Sequence, residues 1–205
     1  MSVSRRVSSL TLDNLADMPA PCRTCVYWEL GPLAEADRLE KDEASLAKES
    51  WLSATLLDWG SCGKIAYVAG VPVGHALFAP PGFVPRALSF PTSPVSGDAV
   101  LLMVAHVSTE WASTGIGRML AQAVAAELVP RGVKAIEAFG SMSEHRCLLP
   151  ADYLRSVGFK TVRPHPKYPR LRMELKSTVS WRYDVEYALE RIFSAATGRQ
   201  PVPAA

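Results

Sequence analysis

The 205-residue sequence has no apolar run long enough to cross a membrane as a helix. Neither sign of charge is in clear excess. Its 22 Lys and Arg face 20 Asp and Glu, and the formal +2 that remains is too little for a nucleic-acid footprint. The opening MSVSRRVSSL holds arginines but no apolar segment, so no signal peptide is expected and the expected compartment is the cytoplasm. Cysteine is scarce: Cys22, Cys25, Cys62 and Cys147, which in that compartment are reduced by default. Cys22-Arg23-Thr24-Cys25 has the spacing of half a zinc site, but no second Cys-x-x-Cys and no His-x-x-x-His follows. Cys62, Cys147 and His145 complete such a site only if the fold gathers them, and buried reduced thiols with no metal are the expectation. No internal repeat is present. What is there is ordinary globular composition, 48% hydrophobic and 20% charged, at a length that suits one domain with a real core.

One stretch organises the rest. Residues 99–107, AVLLMVAHV, form a continuous apolar run that predicts a buried strand. Ile116, Met119, Leu120, Ala123, Val124 and Leu128 then fall at helical spacing on one face, and Pro130 and Gly132 end that helix. Between them, Gly115 and Gly117 sit at the helix start. The first amides of a helix have no internal partner and lie at the positive end of its dipole, so a strand, a glycine turn and a helix N-terminus suit a pyrophosphate. The bare pattern fits a packing turn as well. It is not a P-loop, because no Lys-Ser or Lys-Thr follows the glycines, and the third glycine of the dinucleotide fingerprint is missing.

The rest of the chain reads as follows. Val7 to Leu12 predicts a first strand, with Asp13 capping a short helix through Asp17. Ala34 to Trp59, without Pro or Gly, predicts one long or two consecutive helices. Gly63 to Ala79 predicts a hairpin turning at Gly70-Val71, with His75 hydrogen-bonded or facing solvent. Pro80 to Asp98 is a long proline-rich connection, read either as a wall of a substrate pocket or as a stiffened surface loop. Val133 to Phe139 predicts a strand buried on both faces, in which Glu137 needs a partner or a raised pKa. Residues 151–163 predict a short helix, Gly158 as its C-terminal cap and a further strand, and RLRMELK predicts the last strand. Beyond it, Trp181, Val185, Ala188, Leu189, Ile192 and Phe193 form an amphipathic stripe, read as a helix folded back on its own domain, with a homodimer or partner interface as the alternative.

Gly115-Ile116-Gly117 followed by Arg118-Met119-Leu120 resembles the acyl-CoA loop of the GNAT-type N-acetyltransferase family, Gln/Arg-x-x-Gly-x-Gly/Ala between its fourth strand and third helix; Ala112 stands where that family has Gln or Arg. Tyr153 to Phe159, YLRSVGF, resembles the family's second phrase, Tyr-x-x-x-Gly-Phe. The resemblance covers about Val7 to Lys176. It implies an α/β fold: a mixed, mostly antiparallel sheet with a splayed central parallel pair, flanked by helices. Residues 1–176 are then the transferase domain and 177–205 a C-terminal helical extension and tail packed on it. It implies acetyl-CoA as co-substrate and an amine acceptor, on a small molecule or a protein, that the sequence does not name. By the same resemblance the backbone of Ala105, His106 and Val107 pairs with the pantetheine arm. The amides of Ser113, Thr114, Gly115, Ile116, Gly117, Arg118 and Met119 hold the pyrophosphate.

Amide formation from a thioester needs a polarised carbonyl, an amine that loses a proton and a thiolate that leaves. His106, at the strand end near the expected thioester, is the first candidate base, and strand alternation turns its side chain opposite to Ala105 and Val107. Glu137 and Glu110 are weaker candidates, and each of the three has a structural role as its alternative. Many members of the family carry a tyrosine acid four residues before the glycine of Gly-Phe. Here that position is Leu154, and Tyr153 lies one residue earlier, about 100° around the helix. The expectation is a thiolate that leaves without a protein acid, with Tyr153 as the alternative. Two other readings stand beside acyl transfer: an acyl-CoA-binding module without turnover, and a thiol or zinc protein built on Cys22 and Cys25.

Overall fold

The computed structural model describes residues 4–31, 39–145, 147–156, 158–175 and Ile192. Among these residues eight strands form one sheet: β1 (Arg5–Ser9), β2 (Gly63–Val68), β3 (Val71–Ala79), β4 (Ala99–Val107), β5 (Ala135–Ser141), β6 (Leu149–Pro150), β7 (Lys160–Arg163) and β8 (Arg170–Glu174). The strand order is β1-β2-β3-β4-β5-β8-β7, with the two-residue β6 beside β5. The helices are α1 (Ala20–Arg23), α2 (Lys41–Asp58), α3 (Ile116–Leu128) and α4 (Ala151–Ser156). Neighbouring strands run antiparallel except where β4 and β6 meet β5. A strand–helix–strand passage from β4 through α3 to β5 is what a parallel pair requires.

Local chemistry moves several boundaries from their predicted places. β1 ends at Ser9 rather than Leu12, because Asn14 accepts a hydrogen bond from the Thr11 N–H at 2.8 Å and donates to the Ser9 carbonyl at 2.9 Å, which draws the chain out of the ladder. The hairpin turns at Ala69-Gly70, one residue before the predicted place. Both residues have positive φ, 51° and 83°, as a two-residue turn matched to strand twist demands. The described helix α2 starts at Lys41 behind a capping box of Glu40 and Glu43, each side chain accepting from the other's backbone N–H. β6 was not predicted.

The sheet separates two cores. On one face Val100, Leu102, Ala105 and Val107 pack against Ile116, Leu120, Ala121, Val124 and Leu128 of α3. Ile192 is fully buried in this same cluster, and the rest of the predicted C-terminal stripe lies outside the described residues. On the other face Ile65, Leu77, Leu101, Met103 and Phe139 pack under Trp28, Leu52 and the proline-rich segment, which contributes Val84, Ala87, Phe90 and Val95. Each such buried aliphatic or aromatic side chain contributes about 1.5–3 kcal/mol relative to exposure. The proline-rich segment is also pinned by polar contacts. Trp51 Nε1 donates to the Phe83 carbonyl at 2.6 Å, Arg86 to that of Gly31 at 2.8 Å and Thr92 Oγ1 to that of Tyr168 at 2.9 Å. Phe90 stacks on Phe139 with centroids 4.2 Å apart. The segment is therefore a packed layer over the sheet.

Candidate active site

β4 and β5 pair through only three residues each: Ala99 with Ala135, Val100 with Ile136 and Leu101 with Glu137. Past that point β4 stays on β3 as far as Val107, while β5 follows β8 to Phe139 and β6 from Gly140. The two strands diverge and leave a gap in the middle of the sheet. The register on β3 slips just there: Leu77 faces Val104 and Phe78 faces Leu102, so Met103 is an extra residue. A bulge of this kind bends a strand and re-aims its backbone groups.

The groups of β4 that face the gap follow from alternation. The Ser108 N–H donates to the Val73 carbonyl at 2.8 Å, and the His106 carbonyl oxygen lies 2.9 Å from where a Cβ on Gly74 would stand, so residues 106 and 108 address β3. Ala105 and Val107, one residue out of phase, turn their N–H and C=O groups to the side β5 has left. An extended chain can add itself to such an edge.

β4 runs into a turn ending at the N-terminus of α3. Ser113 has φ 61° and Gly115, the residue before the helix, has φ 88°. The N-cap residue Gly115 has no side chain to cap the first amides of α3. Arg5 of β1 donates to the Thr114 carbonyl at 2.7 Å. The carbonyl and the next N–H of a trans peptide point in opposite directions, so this contact aims the Gly115 N–H away from Arg5. Gly117 is buried in the first turn of the helix, Met119 is half-buried and Arg118 exposed. The small Ala112 ends the short turn before Ser113. Arg5 escaped sequence reading because it stands 109 residues from the carbonyl it holds.

The predicted catalytic residues are placed apart. The His106 side chain lies on the sheet face away from α3. Its ring is 5.5 Å from that of His75, and both line a cavity of about 40 Å³ with Asp17, Pro19, Pro72 and Ser108. Burial lowers the His106 pKa and keeps the ring neutral, a form that accepts a proton. His75, expected to be hydrogen-bonded or solvent-facing, is neither. It is 1% exposed with both ring nitrogens unpaired, and burial pushes its pKa down to about 3. The sequence carries no local sign of this, because the pairing is made across strands.

Glu137 is fully buried. It accepts from the Ser96 N–H at 3.2 Å, from Arg172 at 3.2 Å and from the Arg170 guanidinium. Burial alone raises its pKa, but the hydrogen bonds from Ser96 and Arg170 outweigh it and hold the carboxyl below its ordinary value. It stands level with Leu101, so His106 is five residues further along, roughly 16 Å at the rise of a strand. Tyr153, on α4, packs at the edge of the α3-side core with its hydroxyl buried, and Leu154 is fully buried within that core. Glu110 is exposed in the turn after β4.

Of the four cysteines, the Cys25 and Cys147 sulfurs approach to 3.9 Å, while Cys62 is buried. Among the described residues no three His, Cys, Asp or Glu side chains gather as metal ligands would, and no helix is long and apolar enough to cross a membrane.

No protein-family model and no curated protein matches the chain. Solved structures do. The PaiA N-acetyltransferase of Thermoplasma acidophilum, in complex with coenzyme A, aligns with TM-score 0.54 at 10% identity over 83% of this chain and 99% of its own. An N-acetyltransferase from Staphylococcus aureus Mu50 aligns with TM-score 0.55 at 14% identity over 84% and 99%. YncA of Salmonella typhimurium, with its cofactor acetyl-CoA, aligns with TM-score 0.54 at 17% identity over 85% and 96%. With its splayed parallel pair at the centre of a mostly antiparallel sheet, the chain has the fold of the GNAT-type N-acetyltransferases.

Proposed function

We propose that the chain is an acetyl-CoA-dependent N-acetyltransferase that moves an acetyl group to a primary amine of a small molecule or a protein. The gap between β4 and β5 carries this reading: a free strand edge at Ala105 and Val107, continuous with a left-handed turn and a helix N-terminus. Acetyl-CoA, when bound, supplies the activated acyl group. In this reading Ala105 and Val107 hold the pantetheine amides by strand-like hydrogen bonds, and the amides from Ser113 to Met119 hold the pyrophosphate. His106, neutral and half-buried, accepts the proton of the amine. Glu137 drops out as a base because its oxygens are committed to Ser96, Arg170 and Arg172. The domain is taken as residues 1–176 and its compartment as the cytoplasm; 177–205 is taken as its C-terminal extension, of which Ile192 alone is described and is buried in the α3-side core.

The test is acetyl-CoA binding by calorimetry. In a Gly117→Glu variant that keeps its circular-dichroism spectrum, a carboxylate in the buried first turn of α3 repels the phosphates and binding is lost. Unchanged affinity in that variant refutes the site. A panel of amines, followed by release of the CoA thiol, then identifies the acceptor. One observation favours a second reading, an acyl-CoA-binding module without turnover: among the described residues no side chain hydrogen-bonds or ion-pairs with His106, whose ring faces that of His75 at 5.5 Å. Tight acetyl-CoA binding with no thiol release across the panel selects it.

A further inference from the structure

We propose that Cys25 and Cys147 are a reversible thiol–disulfide site, closed by a hydroperoxide-class oxidant and reopened by a dithiol. The pair does not rest on the acyl-transfer reading. The two residues are 122 apart in sequence, both are half-buried, and their sulfurs lie 3.9 Å from each other. A disulfide needs about 2 Å between sulfurs, so closure asks for side-chain rotation and a small backbone adjustment.

The two segments are already held together around the sulfurs. Lys48 of α2 donates to the Cys25 carbonyl at 3.0 Å and pairs with Glu29 of the same segment. Tyr27 packs edge-on against His145 at 5.4 Å, and the Cys147 N–H donates to His145 Nδ1 at 3.1 Å. Among the described residues, the charged and titratable groups that act on the Cys25 thiol are Glu29 on its own segment, Lys48 on α2 and Cys147 across the contact.

The surroundings also divide the cysteines by reactivity. The hydrogen bond from Cys147 lowers the Cys25 pKa to about 6; burial opposes it and the Tyr27 backbone N–H adds to it. The contact thus favours the Cys25 thiolate, and the thiolate is the nucleophile. Burial pushes Cys62 up to about 12, which leaves it inert.

The chemistry balances with one peroxide. The Cys25 thiolate attacks the peroxide, an S–O bond forms, the O–O bond breaks, and the departing oxygen leaves, once protonated, as water from hydrogen peroxide or as the alcohol from an organic hydroperoxide. Cys147 then attacks the sulfenic sulfur, the S–S bond forms, the S–O bond breaks, and water leaves. Two thiols are oxidised, one peroxide is reduced. The product ties the segment carrying Tyr27 and Trp28 to the chain between β5 and β6, on the sheet face away from α3.

The experiment is a disulfide map. Full-length protein, Cys22→Ser and Cys147→Ser are treated with hydrogen peroxide, blocked with iodoacetamide and digested without reduction. A linked Cys25–Cys147 peptide is expected in the wild type and in Cys22→Ser, and dithiothreitol should remove it. In Cys147→Ser the link is absent and dimedone labels Cys25. At neutral pH the reduced protein should lose Cys25 to iodoacetamide at least about tenfold faster than Cys62. A Cys22–Cys25 link as the main wild-type product overturns the proposal. So does an oxidised wild-type sample in which Cys25 and Cys147 both remain open to alkylation. The wild-type map decides even if the serine variants fold poorly.

Discussion

Replacing Glu137 separates a structural carboxylate from a catalytic one. In Glu137→Ala the Arg170 guanidinium, 8% exposed, loses its counter-charge while still buried, and Ser96 loses the acceptor for its backbone N–H. Removing one partner of a buried ion pair costs about 3–5 kcal/mol, because the survivor's desolvation is no longer offset. For a domain of this size each kcal/mol moves the melting temperature by about 2–4 °C, so the variant should melt about 6–20 °C lower. Glu137→Gln keeps the shape and an acceptor for Ser96 and should lose less, about 1–3 kcal/mol. The pH dependence has a definite sign. The folded-state pKa is depressed, so Glu137 stabilises the fold above the unfolded glutamate pKa of about 4.3, and that contribution disappears as pH falls through the lower folded value. The gap in melting temperature between wild type and Glu137→Gln should therefore be full at pH 7 and shrink on acidification below about pH 4. Thermal melts by circular dichroism across that range are the assay. A Glu137→Gln protein that melts with the wild type at pH 7 but turns over a thousandfold more slowly would show Glu137 to be the base.

Four further outcomes are expected. Gly117→Glu should abolish acetyl-CoA binding in calorimetry while the protein stays folded. Lys48→Met should cost about 3–5 kcal/mol in urea unfolding by stranding buried Glu29, and adding Glu29→Gln should recover part of the loss, a coupling that independent sites would not show. The double variant Cys22→Ser, Cys25→Ser should keep its turnover when assayed reduced; loss of activity together with loss of bound zinc would instead promote a metal role. Tyr153→Phe should change turnover by less than about tenfold, since a thiolate leaves without help, and a thousandfold drop with acetyl-CoA binding intact would make Tyr153 the acid.

What was legible in the sequence is what is encoded locally. The run from Ala99 to Val107, the stripe of α3 and the glycines between them each carry their own periodicity or turn chemistry, while the fold class came from the family resemblance of the glycine loop and of YLRSVGF. Even there the buried face of α3 differs in detail: Ala121 and Ala125 are buried where Met119 and Ala123 were expected, because small residues let a helix lie close to a sheet without adding hydrophobic signal. The turn at Ala69 was misplaced because a non-glycine residue there accepts a positive φ. The rest is long-range. Glu137 was flagged as needing a partner, yet Arg170 and Arg172 come from another strand. The pairs His75 with His106, Arg5 with Thr114 and Cys25 with Cys147 exist only once distant strands and loops are set side by side. No spacing rule reports such pairs.

The three residue pairs joining β4 to β5 leave the sheet as two panels, β1–β4 and β5–β8 with β6, that share a very short seam. In most sheets the central strands are the last to exchange their amide protons, and protection falls toward the rims. Here the order should invert locally. The Ala105 and Val107 amides sit at mid-sheet but, among the described residues, lack a neighbouring strand on the β5 side, so they should exchange before the amides of β2 and β3. A bound chain in the gap would act as the missing strand, slow those two positions first, and stitch the panels into one mechanical unit.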